Sequence, residues 1–189
     1  MIIGTSGETE ESTMTIQVDD AGVGDLIFGA VVGAHRKETD EFHYDMIPVK
    51  YFQSPDFRRK LYLKKATELT MRLLQEMQLG AEEEIEICSS FLFDEARPAL
   101  VRQFGEKRVK VSVITGRAQD NVETAYLDEI RNLGYVPLPD RDEKRARSFF
   151  HMLRWVKSDP KRLRLAKTGW PKLRRYLRPR EEKGPSSRS

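Results

Sequence analysis

The sequence has one cysteine, Cys88, and three histidines in 189 residues. One thiol excludes an internal disulfide. One cysteine cannot build a zinc site without help from other ligands, and His35, His43 and His151 share no metal-ligand spacing. So little cysteine points to a reducing compartment, and a cytoplasmic protein is expected. No apolar run approaches the roughly 20 residues that span a bilayer, so no membrane partner is expected. Residues 1–14 lack the basic and apolar regions of a secretory signal. They are rich in Gly, Thr, Ser and Glu, and a disordered segment is expected there. Ser89 and Ser90 stand in no visible Ser–His–Asp arrangement, which argues against a nucleophilic hydrolase.

Charge is abundant but unevenly placed. Charged residues make up 33% of the chain, for a net charge of +3. Between 141 and 189 there are 17 Lys/Arg against 5 Asp/Glu, a net of +12, which leaves −9 for residues 1–140. A block that basic meets a polyanion or pairs with an acidic surface. The acidic run Glu82–Glu84 reads as a solvated edge.

The hydrophobic period changes along the chain. Thr15–Asp20 alternates and ends in two acids, and Leu26–Ala34 is a short apolar run suited to a buried strand. Gly22 and Gly24 between them predict a tight hairpin. Glu41–Phe52 reads as a third strand, with Pro48 at its end or at a bulge. Ser54-Pro55 has the form of a helix start, followed by Phe57, Leu61, Ala66, Leu69, Leu73 and Met77 at helical spacing, with Gly80 as the stop. A fourth strand is expected at Glu84–Cys88, a helix at about 95–104, a fifth strand at Val109–Ile114 and a helix at Gln119–Leu133. A final helix over 143–156 should bury Ala146, Phe149, Phe150, Leu153 and Val156. Pro160 ends it, and Leu163, Leu165, Trp170, Leu173, Tyr176 and Leu177 then recur among cations.

The element order is β-β-β-α-β-α-β-α. With right-handed crossovers this predicts an α/β fold of ribonuclease-H-like layout: a five-stranded mixed sheet in the order 3-2-1-4-5, flanking helices and a basic C-terminal helical arm. The expected divisions are 1–14, a domain over 15–139, the arm over 140–180 and a flexible tail over 181–189.

Val18-Asp19-Asp20-Ala21-Gly22-Val23-Gly24 resembles the first-strand motif of the type 2 ribonucleases H, Asp-Glu-Ala-Gly-Arg-Gly. Asp19, Ala21, Gly22 and Gly24 match, Asp20 takes the place of the glutamate, and Val23 replaces the arginine. The resemblance implies a metal-dependent nuclease that uses Mg²⁺ or Mn²⁺ on RNA, DNA or a hybrid, with RNA or an RNA–DNA hybrid the favoured partner. The loss of that arginine removes the expectation of junction specificity. Phosphodiester hydrolysis with two ions about 3.5–4 Å apart needs several converging carboxylates. Asp19 is the candidate central ligand and Asp20 the second. Asp94, with Glu95 beside it, stands where an acid following the fourth strand would be, and Asp120 or Glu123 where the last would be. Capping and helix-dipole pairing explain Asp94, Glu95, Asp120 and Glu123 equally well. Cys88 reads as a small buried hydrophobe.

Two other readings use the same residues. Asp19–Gly24 and Ile114-Thr115-Gly116 resemble the phosphate-cradling turns of sugar kinases and actin-like ATPases, but those proteins need two lobes where this chain has material for one. A non-catalytic nucleic-acid-binding or assembly module would keep the fold and the arm. Arg164, Lys167, Trp170, Lys172, Arg174, Arg175 and Arg178 interleave cations with aromatics, which suits phosphate contact and base stacking. Packing of the arm on the acidic body would use the same side chains. The oligomeric state is not readable from the sequence.

Overall fold

The computed structural model describes residues 14–141 and 143–177. Five strands, β1 (Thr15–Ala21), β2 (Ala30–Arg36), β3 (Glu41–Ile47), β4 (Glu84–Cys88) and β5 (Val109–Ser112), form one sheet in the order β3-β2-β1-β4-β5. The β1–β2 and β2–β3 pairs are antiparallel, and β1–β4 and β4–β5 are parallel. This is the mixed sheet expected from the element order. No helix among the described residues is long and apolar enough to cross a membrane.

Both faces of the sheet are covered. On one, α1 (Leu61–Glu76) and α2 (Ala96–Phe104) bury Leu63, Ala66, Leu69, Leu73 and Leu100 against Ile16, Val18, Ile85 and Ile87. On the other, α3 (Arg117–Asn132) sets Val122, Tyr126 and Ile130 against Ala21 and Val31. That approach depends on Gly33, where a Cβ would lie 2.4 Å from Val122 and 2.7 Å from Phe42. The helix α4 (Arg145–Lys157) adds Met152, Leu153 and Val156 to this second core, and Leu173, just before the short α5 (Arg174–Leu177), joins them.

Several local expectations are corrected. The β1–β2 connection is a loop over residues 22–29, not a tight hairpin, because Leu26 and Ile27 are drawn into the core. α1 starts at Leu61 rather than at Ser54-Pro55. Residues 53–60 turn back on themselves first, with Phe57 N–H on the Gln53 carbonyl and Lys60 in the left-handed region at φ 55°. Phe57 stacks instead on Tyr62, with ring centres 5.3 Å apart. The same helix ends in a Schellman turn through Gln78 (φ 52°) and Leu79, whose amides reach the Gln75 and Leu74 carbonyls, before Gly80 is reached. Glu83 is buried rather than solvated, accepting from Arg36 Nε at 2.8 Å and from the Gly80 amide at 2.6 Å. On α4 the buried stripe runs through Ser148, Met152, Leu153 and Val156, while Ala146 and Phe150 face solvent.

The arm is threaded into the body. Phe28 N–H donates to the Leu165 carbonyl at 2.7 Å, and Lys167 N–H to the Leu26 carbonyl at 2.8 Å, forming an antiparallel bridge between Ile27 and Ala166. Gln53 Nε2 reaches the Arg164 and Ala166 carbonyls from the other side. The β1–β2 loop is thereby held between the sheet and the arm.

Candidate metal centre

The acids at the end of β1 owe their position to strand register. Val18 pairs with Ile87 in the parallel β1–β4 ladder, so Asp19 lies level with Cys88, the last residue of β4. Asp19 is 6% exposed, and the Cys88 thiol lies beside its carboxylate. Ser90, whose hydroxyl accepts from the Leu92 amide, lines the cleft beside Asp20. Asp19, Asp20 and Cys88 each offer one ligand atom, and these atoms lie within 4.8 Å of one another.

Burial governs the protonation of the group. Desolvation raises the pKa of Asp19, against hydrogen bonds from Cys88 and the Asp20 backbone. Burial also lifts Asp20 to about 7. The Ser90 bond opposes this, the Asp19 and Glu123 charges add to it, and Lys167 works against it. Cys88 is pushed up to about 12 by desolvation and by the adjacent carboxylates. Crowded, buried carboxylates with raised pKa values are suited to a cation, which removes both their repulsion and their desolvation cost. The donor set therefore fits one divalent ion, with Asp19 and Asp20 as oxygen ligands.

Beside Asp20 opens a cleft of about 300 Å³, walled by the loop 22–25, by Ser90 and Phe91, and by Glu123, Arg141, Arg145 and Phe149. Gly22 adopts φ +80° with the Tyr126 ring against its Cα, where a Cβ would fall 2.1 Å from that ring. Arg141 is buried and bridges Asp25 and Glu123, each at 2.8 Å. Their charges outweigh its desolvation and raise its pKa.

The other sequence candidates are placed as follows. Glu123 reaches the cleft but is engaged by Arg141. Asp94 faces outward and pairs with Arg97, whose guanidinium also donates to the Cys88 and Ser90 carbonyls. Glu95 and Asp120 are exposed and do not join the cluster. In the arm, Arg164 and Arg175 are exposed, Arg175 resting on the Tyr176 ring at 4.6 Å. Trp170 is half-buried against Phe57. Lys167 is turned inward and buried, out of reach of any phosphate, because the β1–β2 loop offers carbonyls to its ammonium. The side chains of Lys172 and Arg174, the residue Arg178 and the segments 1–13 and 178–189 lie outside the described residues.

Sequence reasoning missed Cys88, Ser90, Arg141, Arg145 and Phe91. The alignment of Cys88 with Asp19 follows from the predicted β1–β4 pairing and could have been found there. Arg141 and Arg145 carry no local signal.

No protein-family model matches the chain, and no curated protein matches it. Among solved structures the chain is similar to the crystal structure of Bst-RNase HIII in complex with Mn²⁺, at a TM-score of 0.57 and 14% identity, over 88% of this chain and 70% of that one. Together with the β3-β2-β1-β4-β5 sheet and its flanking helices, this similarity shows that the chain has a ribonuclease-H-like fold.

Proposed function

We propose that the protein is a metal-dependent nuclease that hydrolyses phosphodiester bonds in RNA, DNA or a hybrid. The observation that carries this reading is the convergence of Asp19 and Asp20 at the carboxyl ends of the parallel strands β1 and β4, beside an open cleft. Asp19 and Asp20 would hold a Mg²⁺ or Mn²⁺ ion, and Ser90 favours the ionised Asp20 carboxylate. Bound there, such an ion would supply Lewis acidity for the scissile phosphate and for the attacking water. Arg141 offsets the Asp25 and Glu123 charges, so an incoming phosphate meets less repulsion. The arm cations Arg164 and Arg175 are exposed and available to the nucleic-acid backbone, as the sequence also suggests for Lys172, Arg174 and Arg178, whereas Lys167 and Trp170 serve packing.

A second reading, a nucleic-acid-binding module without catalysis, is favoured by one observation. Asp94 and Asp120 do not join the Asp19–Asp20 cluster, so two of the candidate carboxylates do not converge on it. The test is incubation with end-labelled RNA, DNA and hybrid in Mn²⁺ or Mg²⁺. Cleavage by the wild type that is lost in a folded Asp19→Asn variant is expected. Binding without cleavage of any substrate by either ion would leave the binding module.

A further inference from the structure

Phe91 follows Ser90 directly and leaves half of its ring in solvent, 50% exposed. It meets the edge of Tyr62 at 6.4 Å and shares the walls of the Asp20 cleft with Phe149. An aromatic ring exposed beside buried carboxylates is costly to leave bare, and two rings on one cleft make an apolar surface for a flat partner. Arg145, in the first turn of α4, lies at the same cleft, is exposed and makes no ion pair among the described residues. The loop between them presents its backbone, because Val23 is buried in the core.

Size and chemistry then restrict the occupant. About 300 Å³ accommodates one nucleotide, not a stacked duplex. A base inside a helix has both faces covered by its neighbours and cannot offer one to Phe91 without leaving the stack. An unpaired base has a free face, and its phosphate carries the charge that Arg145 complements. Asp25 and Glu123, the acids that would repel that phosphate, are already bridged by Arg141.

We propose that the cleft takes an unpaired nucleotide, so that the substrate is single-stranded or locally opened nucleic acid, with its base against Phe91 and its phosphate within reach of Arg145. The chemistry done there rests on the nuclease reading; the binding requires the cleft alone.

The test is fluorescence-anisotropy titration of the full chain in EDTA, with a labelled single-stranded oligonucleotide and with the same sequence as a blunt duplex. The wild type should bind the single strand more tightly. Phe91→Leu should weaken that binding by roughly five- to hundredfold, the range expected for one base–aromatic stack, and leave the duplex unaffected. Phe91→Trp should retain the preference. Arg145→Ala should reduce the slope of log affinity against log salt on the single strand by roughly 0.7. Equal affinity for both forms, or a Phe91→Leu variant that binds the single strand as the wild type does, overturns the proposal. Cleavage in Mn²⁺ is scored separately. Phe91-dependent single-strand binding without cleavage defeats the nuclease reading alone, and cleavage indifferent to Phe91 defeats the cleft assignment alone.

Discussion

The Nζ of Lys167 donates to the carbonyl oxygen of Val23, 3.1 Å away, in the loop that leaves the acidic end of β1. The same ammonium reaches the Gly22 carbonyl and lies 4.7 Å from the centre of the Phe52 ring. Burial lowers its pKa to about 7, while the Asp25 and Asp20 charges pull it back up. A residue of the basic arm is thus part of the support of the candidate metal centre.

Lys167→Met should therefore destabilise the protein. It leaves the Val23 carbonyl without its donor, at about 1–3 kcal/mol, while the Gly22 carbonyl keeps the Asp25 amide. Amide exchange should accelerate in residues 22–28 and stay slow in α1. A variant that melts with the wild type and protects the loop equally would show that the contact does not hold it.

The strands were legible because period-two patterning and apolar runs are local properties. Glu84–Cys88 stands as expected, and the change to helical spacing after β3 dictated the crossovers and hence the sheet order. Local signals failed where tertiary contacts overrode them. Ser54-Pro55 has the form of a cap, yet Lys60 in the left-handed region redirects the chain before Leu61. Gln78 closes α1 because Leu79 packs on the core, a role the sequence assigned to Gly80. Lys167 reads as a solvated cation, since nothing near it in sequence announces carbonyl partners more than 140 residues away. Asp19 and Asp20 were readable as acids ending a central strand. Cys88, Ser90 and Arg141 join them through register and the packing of the arm, which a linear reading does not contain.

Arg141 is 8% exposed, bridges two carboxylates and lies 5.3 Å from the centre of the Tyr126 ring. Arg141→Met leaves Asp25 and Glu123 without their shared cation, and breaking such a pair costs about 3–5 kcal/mol. Urea unfolding should show that loss. Mn²⁺ should then stabilise the variant more than the wild type, because the acids around the cleft are less compensated. Unchanged stability would mean that the bridge contributes nothing net.

Cation binding should depend on pH through Asp20. Its folded pKa, about 7, lies above the ordinary 3.8. The protonated carboxyl thus contributes stability that is fully present below 3.8 and is lost as pH rises through about 7. A divalent ion binds the ionised form and must displace that proton, so its affinity weakens as pH falls below about 7. The rise in Tm produced by Mn²⁺ should grow from about pH 5 to about pH 8, and Asp20→Asn should flatten the dependence. An equal Mn²⁺ shift across that window would remove Asp20 from the site.

If the cluster binds a cation, Cys88 should set its preference among metals. Its thiol lies with Asp19 and Asp20 inside the 4.8 Å cluster, at the end of the strand paired with β1. Burial and the two carboxylates hold it protonated, with a pKa of about 12, so a cation must be soft enough to displace the proton before sulfur can bind. Mg²⁺ prefers oxygen and does not do so, whereas Co²⁺, Zn²⁺ and Cd²⁺ accept thiolate. Zn²⁺ and Cd²⁺ should then raise Tm more than Mg²⁺, with Mn²⁺ between them. Co²⁺ should produce a thiolate-to-metal charge-transfer absorption in the near ultraviolet that is absent from Cys88→Ser. Cys88→Asp, which supplies a hard oxygen from the same backbone position, should reverse the order in favour of Mg²⁺ and Mn²⁺. Co²⁺ binding to the wild type without the charge-transfer band would show that sulfur is not a ligand, and the preference for soft metals would then fail with it.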